Sequence, residues 1–258
     1  MTTATPTAAA GRLTLVGLHA RLHVRQTVRV PFVVVSLTAF PVMGFLFFVL
    51  PRGGTDVPVS ATASTAQLAL FSMTSVCLFS FGAGVADERA LPWDASLRVL
   101  PAGPGPRLVG RLLAGLVLSL LGLLPLLVAS ALTTAAALPM ERWVPAVVAL
   151  MLASAPLLAL GLTIGYALPA KAAVAAAQML LLPLAFAGGL FLPPAVFPGW
   201  LDTISRCLPT RAGRDVVIAV ATGGEIPLAG VLVLAGWLIA LATTAIWAYT
   251  RDEGARYR

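Results

Sequence analysis

Six long, almost uncharged apolar stretches divide this chain, at residues 32–50, 64–86, 108–137, 143–168, 172–192 and 228–250. A bilayer's hydrocarbon core is about 30 Å thick and an α-helix rises about 1.5 Å per residue, so roughly twenty apolar residues cross it. Each stretch is long enough. Peptide groups left unpaired in lipid cost several kcal/mol each, so such a segment is helical once inserted. The expected fold is all-α: a polytopic membrane protein with six transmembrane helices. Charged residues make up 10% of the chain, against roughly a quarter in soluble domains, and the mean hydropathy is +0.95. A water-soluble core is excluded. The connections are too short for a separately folded unit, so the expected organisation is a disordered Thr/Ala-rich tail over 1–10 and one membrane domain over 11–258.

The net charge is +7, yet the basic residues sit at the ends of apolar stretches rather than on one polar face. That distribution points to membrane lipids as partners and away from nucleic acid. Twelve of the 17 Lys and Arg residues fall in the N-terminal arm, the second connection, the short turn at Lys171 and the tail. The other five, Arg52, Arg142, Arg206, Arg211 and Arg214, fall on the opposite side. The positive-inside bias then puts both termini in the cytoplasm, as an even number of crossings requires. Residues 1–11 are small and polar and match no secretory signal, so the first span is expected to direct insertion.

Within the N-terminal arm, Arg21, Arg25 and Arg29 recur every fourth residue. Leu13, Val16, Ala20, Val24 and Val28 form an apolar stripe, and Leu15, Leu18 and Leu22 flank the arginines on the other side. The spacing predicts an amphipathic helix in the inner headgroup layer with arginines snorkelling to phosphates, an ordinary solvated helix being the plainer alternative. In the second connection, Asp87-Glu88-Arg89 precedes Trp93, Leu97 and Leu100 at helical spacing, with Asp94 and Arg98 between them. This predicts a short cytoplasmic amphipathic helix, ended by the Pro/Gly run from Pro101 to Pro106. The fifth connection carries Pro193, Pro194, Pro198 and Pro209, with Trp200, Ile204 and Leu208 spaced i, i+4, i+8. One or two short helices dipping back into the outer leaflet are expected there, anchored by Trp200.

Catalytic patterns are missing. The only lysine, Lys171, follows Ala-Leu-Pro-Ala, so no phosphate-cradling loop ends in Gly-Lys-Ser/Thr. No Gly-x-Ser-x-Gly elbow occurs. His19 and His23 stand i, i+4 with no nearby carboxylate or cysteine in sequence, so headgroup-facing or solvated histidines are expected and no metal site. Cys77 and Cys207 read as small buried hydrophobes. The chain is expected to bind no cofactor and to be no enzyme itself. The spans hold essentially no ionisable residues, which weighs against a proton- or sodium-coupled pump. Gln67 and Gln178 stand out as helix glue or substrate contacts. Phe71, Met73, Phe79, Gln178, Met179 and Phe186 are the candidate substrate path for a lipid-like cargo, packing being the commoner fate of such residues. Gly161-x-x-x-Gly165 is a helix-packing motif.

Two segments carry a family resemblance. The first is Asp87-Glu88-Arg89 followed by Leu97-Arg98-Val99-Leu100-Pro101 and a basic re-entry at Arg107 and Arg111. The second is Ala187-Gly188-Gly189-Leu190-Phe191-Leu192-Pro193, then Phe197-Pro198-Gly199-Trp200-Leu201 and Leu208-Pro209-Thr210. In this order they resemble the membrane subunits of ABC-2-type exporters, including the daunorubicin-exporter class; Ala90-Leu91-Pro92 departs from the glycine-containing turn common in relatives. The resemblance implies a permease with a coupling helix between spans 2 and 3 and re-entrant outer helices between spans 5 and 6. It implies an ABC ATPase partner in two copies, which carries ATP and Mg, and a second permease copy or a related permease. Asp87, Glu88, Arg89, Trp93, Leu97 and Arg98 would then couple to the ATPase, and Pro193, Trp200 and Pro209 would shape the outer helices. The implied activity is export of an amphipathic drug, antibiotic or lipid from a bacterial inner membrane. A glycan permease and a non-transporting sensor or scaffold that binds an ATPase are the alternatives.

Overall fold

The computed structural model describes residues 8–29, 31–53, 55–91 and 105–256, and every regular element among them is helical. Helix α1 spans Ala8–Val28, so it starts three residues before the helical pattern predicted from Gly11; residues 1–7 of the expected tail lie outside the described residues. Pro31 opens α2, Pro31–Gly44, with its fixed φ and missing N–H suited to a first helical position. The helix continues as a π-turn over Phe45–Val49 and a 3-10 turn over Leu50–Arg52, and stops at Gly53, whose φ of 73° is the left-handed region. Helix α3, Pro58–Leu78, runs through a second π-turn, Phe79–Ala83, into α4, Gly84–Arg89. Then come α5 (Gly105–Thr133), α6 (Met140–Ala167), α7 (Ala170–Ala187), α8 (Gly199–Arg206), α9 (Pro209–Thr222) and α10 (Leu228–Arg256).

Among the described residues five helices are long and apolar enough to cross a membrane: Pro58–Arg89, Val109–Thr133, Met140–Ala167, Ala170–Ala187 and Leu228–Asp252. The first expected span corresponds to a shorter apolar helix, Thr38–Arg52. The Pro58–Arg89 rod is central, with 83% of its apolar window buried, whereas the final helix buries 6%. Small residues let its neighbours close in. A Cβ on Gly165 would come within 2.7 Å of the Phe81 carbonyl oxygen and 2.8 Å of Val85 Cβ, and one on Gly161 would collide with the Cys77 carbonyl. The Gly161-x-x-x-Gly165 face of α6 therefore seats directly on the π-turn of the rod. Hydroxyls add cross-links: Thr65 Oγ1 lies 2.6 Å from Ser130 Oγ of α5.

The fifth span ends earlier than its apolar run. Helix α7 stops at Ala187, not near Leu192, because Gly188 and Gly189 (φ 77°) reverse the chain and the Leu190 N–H donates to Ala185 O at 2.8 Å. The reversal folds Leu190 and Phe191 inward, both buried. Phe191 stacks among Phe48, Phe71 and Phe186, with ring centroids 5.0, 4.6 and 5.0 Å away. Gly44 makes room, since a Cβ there would stand 2.7 Å from Phe191 Cε1.

The two helices of the fifth connection differ from one another. Helix α8 stays at the surface with Trp200 and Ile204 exposed, and the chain breaks at Cys207 and half-buried Leu208 rather than continuing the i+8 pattern. Cys207 is exposed, which corrects its reading as a buried hydrophobe; Cys77 is buried. Helix α9 is internal: a Cβ on Gly213 would meet Ala153 Cβ at 3.1 Å and Leu70 Cδ2 at 3.2 Å, between α6 and α3.

Candidate functional site

Helix α1 lies along the start of α5, with Gly110 the point of closest approach to Val16, His19 and Ala20. Val16 and Ala20 of the apolar stripe therefore face α5, while Leu13 and Val28 of the same stripe are exposed. Arg21, Arg25 and Arg29 are exposed together with Leu18 and Leu22. His23 turns inward, its Nδ1 3.2 Å from Glu88 Oε1, and the other Glu88 oxygen is paired with the buried guanidinium of Arg111 on α5. One carboxylate at the end of α4 therefore joins α1 to α5, so His23 is neither solvated nor headgroup-facing.

The next residue reaches the other half of the bundle. Arg89 Nε donates to Asp252 Oδ2 at 3.2 Å, and its Nη2 pairs with Asp252 Oδ1, a two-pronged contact with the last turns of α10. Its Nη1 donates to Gly165 O at 2.5 Å and to Leu168 O at 3.4 Å. These are carbonyls left over at the C-terminus of α6, where a cation also meets the negative end of the helix dipole. The guanidinium stands 5.7 Å from the Tyr166 ring centroid, and Tyr166 meets Tyr249 of α10 edge to face at 5.1 Å. Asp87 is exposed. Trp93, Leu97 and Arg98 lie outside the described residues.

A second polar cluster sits at the opposite end of the rod. Arg214 Nε donates to Gln67 Oε1 at 3.2 Å and Nη1 to Asp215 Oδ1 at 2.6 Å. Arg211 donates to Asp215 at 2.7 Å and to Asp202 of α8 at 3.4 Å. Burial pulls the Arg214 guanidinium below its ordinary value. The hydrogen bond from Arg206 is the main reason the Asp202 carboxyl lies below the usual range, helped by the charges of Arg206 and Arg211. Two hydroxyls fix this assembly to the end of α7: Thr210 Oγ1 donates to Leu184 O at 2.8 Å and Ser205 Oγ to Ala187 O at 2.6 Å. Pro209 is buried at the first turn of α9, Pro193 precedes a 3-10 turn over Pro194–Val196, and Trp200 projects outward.

The candidate path residues separate into two groups. Phe71 and Met73 are core residues and Phe79 is half-buried in the π-turn. Gln178, Met179 and Phe186 stand on an exposed face of α7 that also carries Leu182. Of the two glutamines, Gln67 ties helices together. Asp252 and Ser205 have no local signal in the sequence, Thr210 stands there only within the Leu208-Pro209-Thr210 segment, and Arg111 is recognisable only as a basic re-entry. Among the described residues no three His, Cys, Asp or Glu side chains gather as metal ligands.

Several helices long and apolar enough to cross a bilayer, tied together by polar side chains, define a polytopic membrane protein. The sequence model of the ABC-2 type transporter family matches residues 17–221, and the chain belongs to that family. Membrane domains of this kind are the permease components of ABC transporters and work with ABC ATPase partners. No curated protein matches the chain.

Proposed function

We propose that this chain is the membrane-spanning subunit of an ATP-driven exporter of the daunorubicin-exporter-like class, moving an amphipathic small molecule, drug, antibiotic or lipid out of a bacterial cell. The chain crosses the inner membrane six times, the first crossing being the continuous run from Pro31 to Arg52, whose 22 residues span about 33 Å. Both termini and the Glu88–Arg89 end are cytoplasmic, in line with the positive-inside bias. Two ATPase subunits, which carry ATP and Mg, bind a pair of permeases through residues 93–100 and α1. The chain itself is no enzyme and supplies no nucleotide chemistry.

The observation that carries this reading is the position of Glu88 and Arg89. They stand at the end of α4, just before the 93–100 stretch in sequence, and link α4 to α1, α5, α6 and α10 at once. A push on that segment reaches the whole bundle without a charge having to enter the lipid. The exposed face of α7 with Gln178, Met179 and Phe186 lines the path between the two permeases. The test is co-reconstitution with the ATPase subunit in liposomes loaded with an amphipathic fluorescent dye. The expected result is dye-stimulated ATP hydrolysis and dye movement, both lost in Glu88→Ala/Arg98→Ala while the complex still assembles. Hydrolysis without dye movement by the wild type would favour the scaffold reading, and unchanged transport by the variant would remove the coupling assignment.

A further inference from the structure

We propose that Asp252, near the end of the final helix, is a positioning residue of the coupling apparatus: its carboxylate holds Arg89 in the orientation that fastens the end of α4, just before the 93–100 stretch in sequence, to the C-terminus of α6. The proposal deepens the exporter reading and rests on it for the meaning of that stretch. Four observations converge on it. Both side chains are withdrawn from solvent, 16% exposed for Arg89 and 7% for Asp252, so the pair is not an incidental surface contact. The contact uses two N–H groups along one edge of the planar guanidinium, Nε and Nη2, one to each carboxylate oxygen, which fixes its plane as a single-point contact could not. With that plane fixed, Nη1 is aimed at Gly165 O and Leu168 O, so the carboxylate on α10 orders a bond between α4 and α6. The Tyr166–Tyr249 contact, with Tyr249 one turn before Asp252, keeps α6 and α10 in the register that brings the carboxylate there.

Without the carboxylate, Arg89 still has carbonyl acceptors but no longer a unique orientation. The last turn of α4 would then yield under load before the load reached α6 and α10. Asp252→Asn is the direct variant, since it keeps volume and removes charge. Asp252→Glu restores the charge one methylene further out. Arg251→Ala is the control, because Arg251 is exposed and its guanidinium lies over the Trp247 ring, 5.2 Å from its centroid.

The deciding experiment measures amide hydrogen exchange on the full-length chain in lipid nanodiscs, without any partner. Asp252→Asn is expected to speed exchange over 84–91 at least tenfold and leave 140–160 unchanged. Asp252→Glu should return to within threefold of wild type, and Arg251→Ala should match it. Unchanged exchange over 84–91 in Asp252→Asn overturns the proposal; so does faster exchange throughout α6, which would make Asp252 a general stabiliser. In the co-reconstituted complex, Asp252→Asn is expected to retain the ATPase subunit but to lose at least tenfold in dye moved per ATP hydrolysed, and an unaltered ratio also overturns the proposal. If the wild type recruits no ATPase, the exporter reading fails, while the exchange measurement still decides whether Asp252 positions Arg89.

Discussion

Gln67 and Arg214 lie 147 residues apart in the chain and are joined by a 3.2 Å hydrogen bond from Nε to Oε1. This bond fixes the far end of the central rod to α9, which in turn holds the end of α7 through Thr210. Gln67→Leu removes the acceptor while keeping most of the volume, leaving Arg214 with Asp215 alone. A hydrogen bond to a charged group is worth about 1.5–3 kcal/mol. Thermal unfolding of the detergent-solubilised chain, followed by tryptophan emission, should show a drop of several degrees. Gln67→Glu should lose less, because an acceptor remains.

Close helix contact makes two glycines behave oppositely. Gly161→Ala drives a methyl into the Cys77 carbonyl, which is backbone and cannot swing aside, so α6 must leave the rod. Overpacking of this kind costs about 1–3 kcal/mol or more. Gly236→Ala meets nothing within 4 Å and should be neutral or slightly stabilising, since alanine is the better helix former by about 1 kcal/mol. Yield of monodisperse protein on size exclusion is the measurement; equal yields from the two variants would refute the contact.

Phe191→Ala empties the middle of an aromatic cluster in which Phe48, Phe71 and Phe186 all touch the deleted ring. Truncating a buried phenylalanine costs about 3–5 kcal/mol. The expected outcome is a strong loss of thermal stability together with faster hydrogen exchange over 188–197. Phe186→Ala, at a more exposed ring, should cost clearly less.

The Asp202 carboxyl gives the opposite end of the bundle an acid sensitivity. Its folded pKa is lowered, chiefly by the hydrogen bond from Arg206. A carboxylate of this kind contributes stability that is complete above its unfolded value of about 4 and disappears as pH falls through the lower folded value. Tryptophan emission of the wild type should therefore change below about pH 4 as α8, with Trp200, loosens from α9. Asp202→Asn should show that loosened signal already at neutral pH and lack the acid step.

Some of this was legible in the sequence and some could not be. The apolar stretches reveal the crossing helices because hydrophobic length is a local property, and Gly161-x-x-x-Gly165 marks a close contact without naming its partner. Apolar character alone carries the fifth span to Leu192, whereas Gly188-Gly189 is the physical stop and Leu190 and Phe191 are apolar because they fold back into the core. The charges of Arg211, Arg214 and Asp215 mark α9 as polar, yet they satisfy one another and Gln67, so the helix packs inside. Arg89 and Asp252 stand 163 residues apart, and nothing in the spacing around either predicts the other. The same holds for His23 with Glu88, where the carboxylate missing from the histidines' neighbourhood in sequence is supplied by a different helix.

The π-turn at Phe79–Ala83 gains its meaning from what grips the rod on either side of it. Above, Gln67 is tied to Arg214; below, Glu88 and Arg89 are tied to four helices. Between these two ties the rod passes through a π-turn, a departure from α-winding at which helices kink. A stroke that arrives at Arg89 is therefore expected to bend the rod around Phe81 and Gly82, where Gly115, Gly161 and Gly165 face it without side chains of their own.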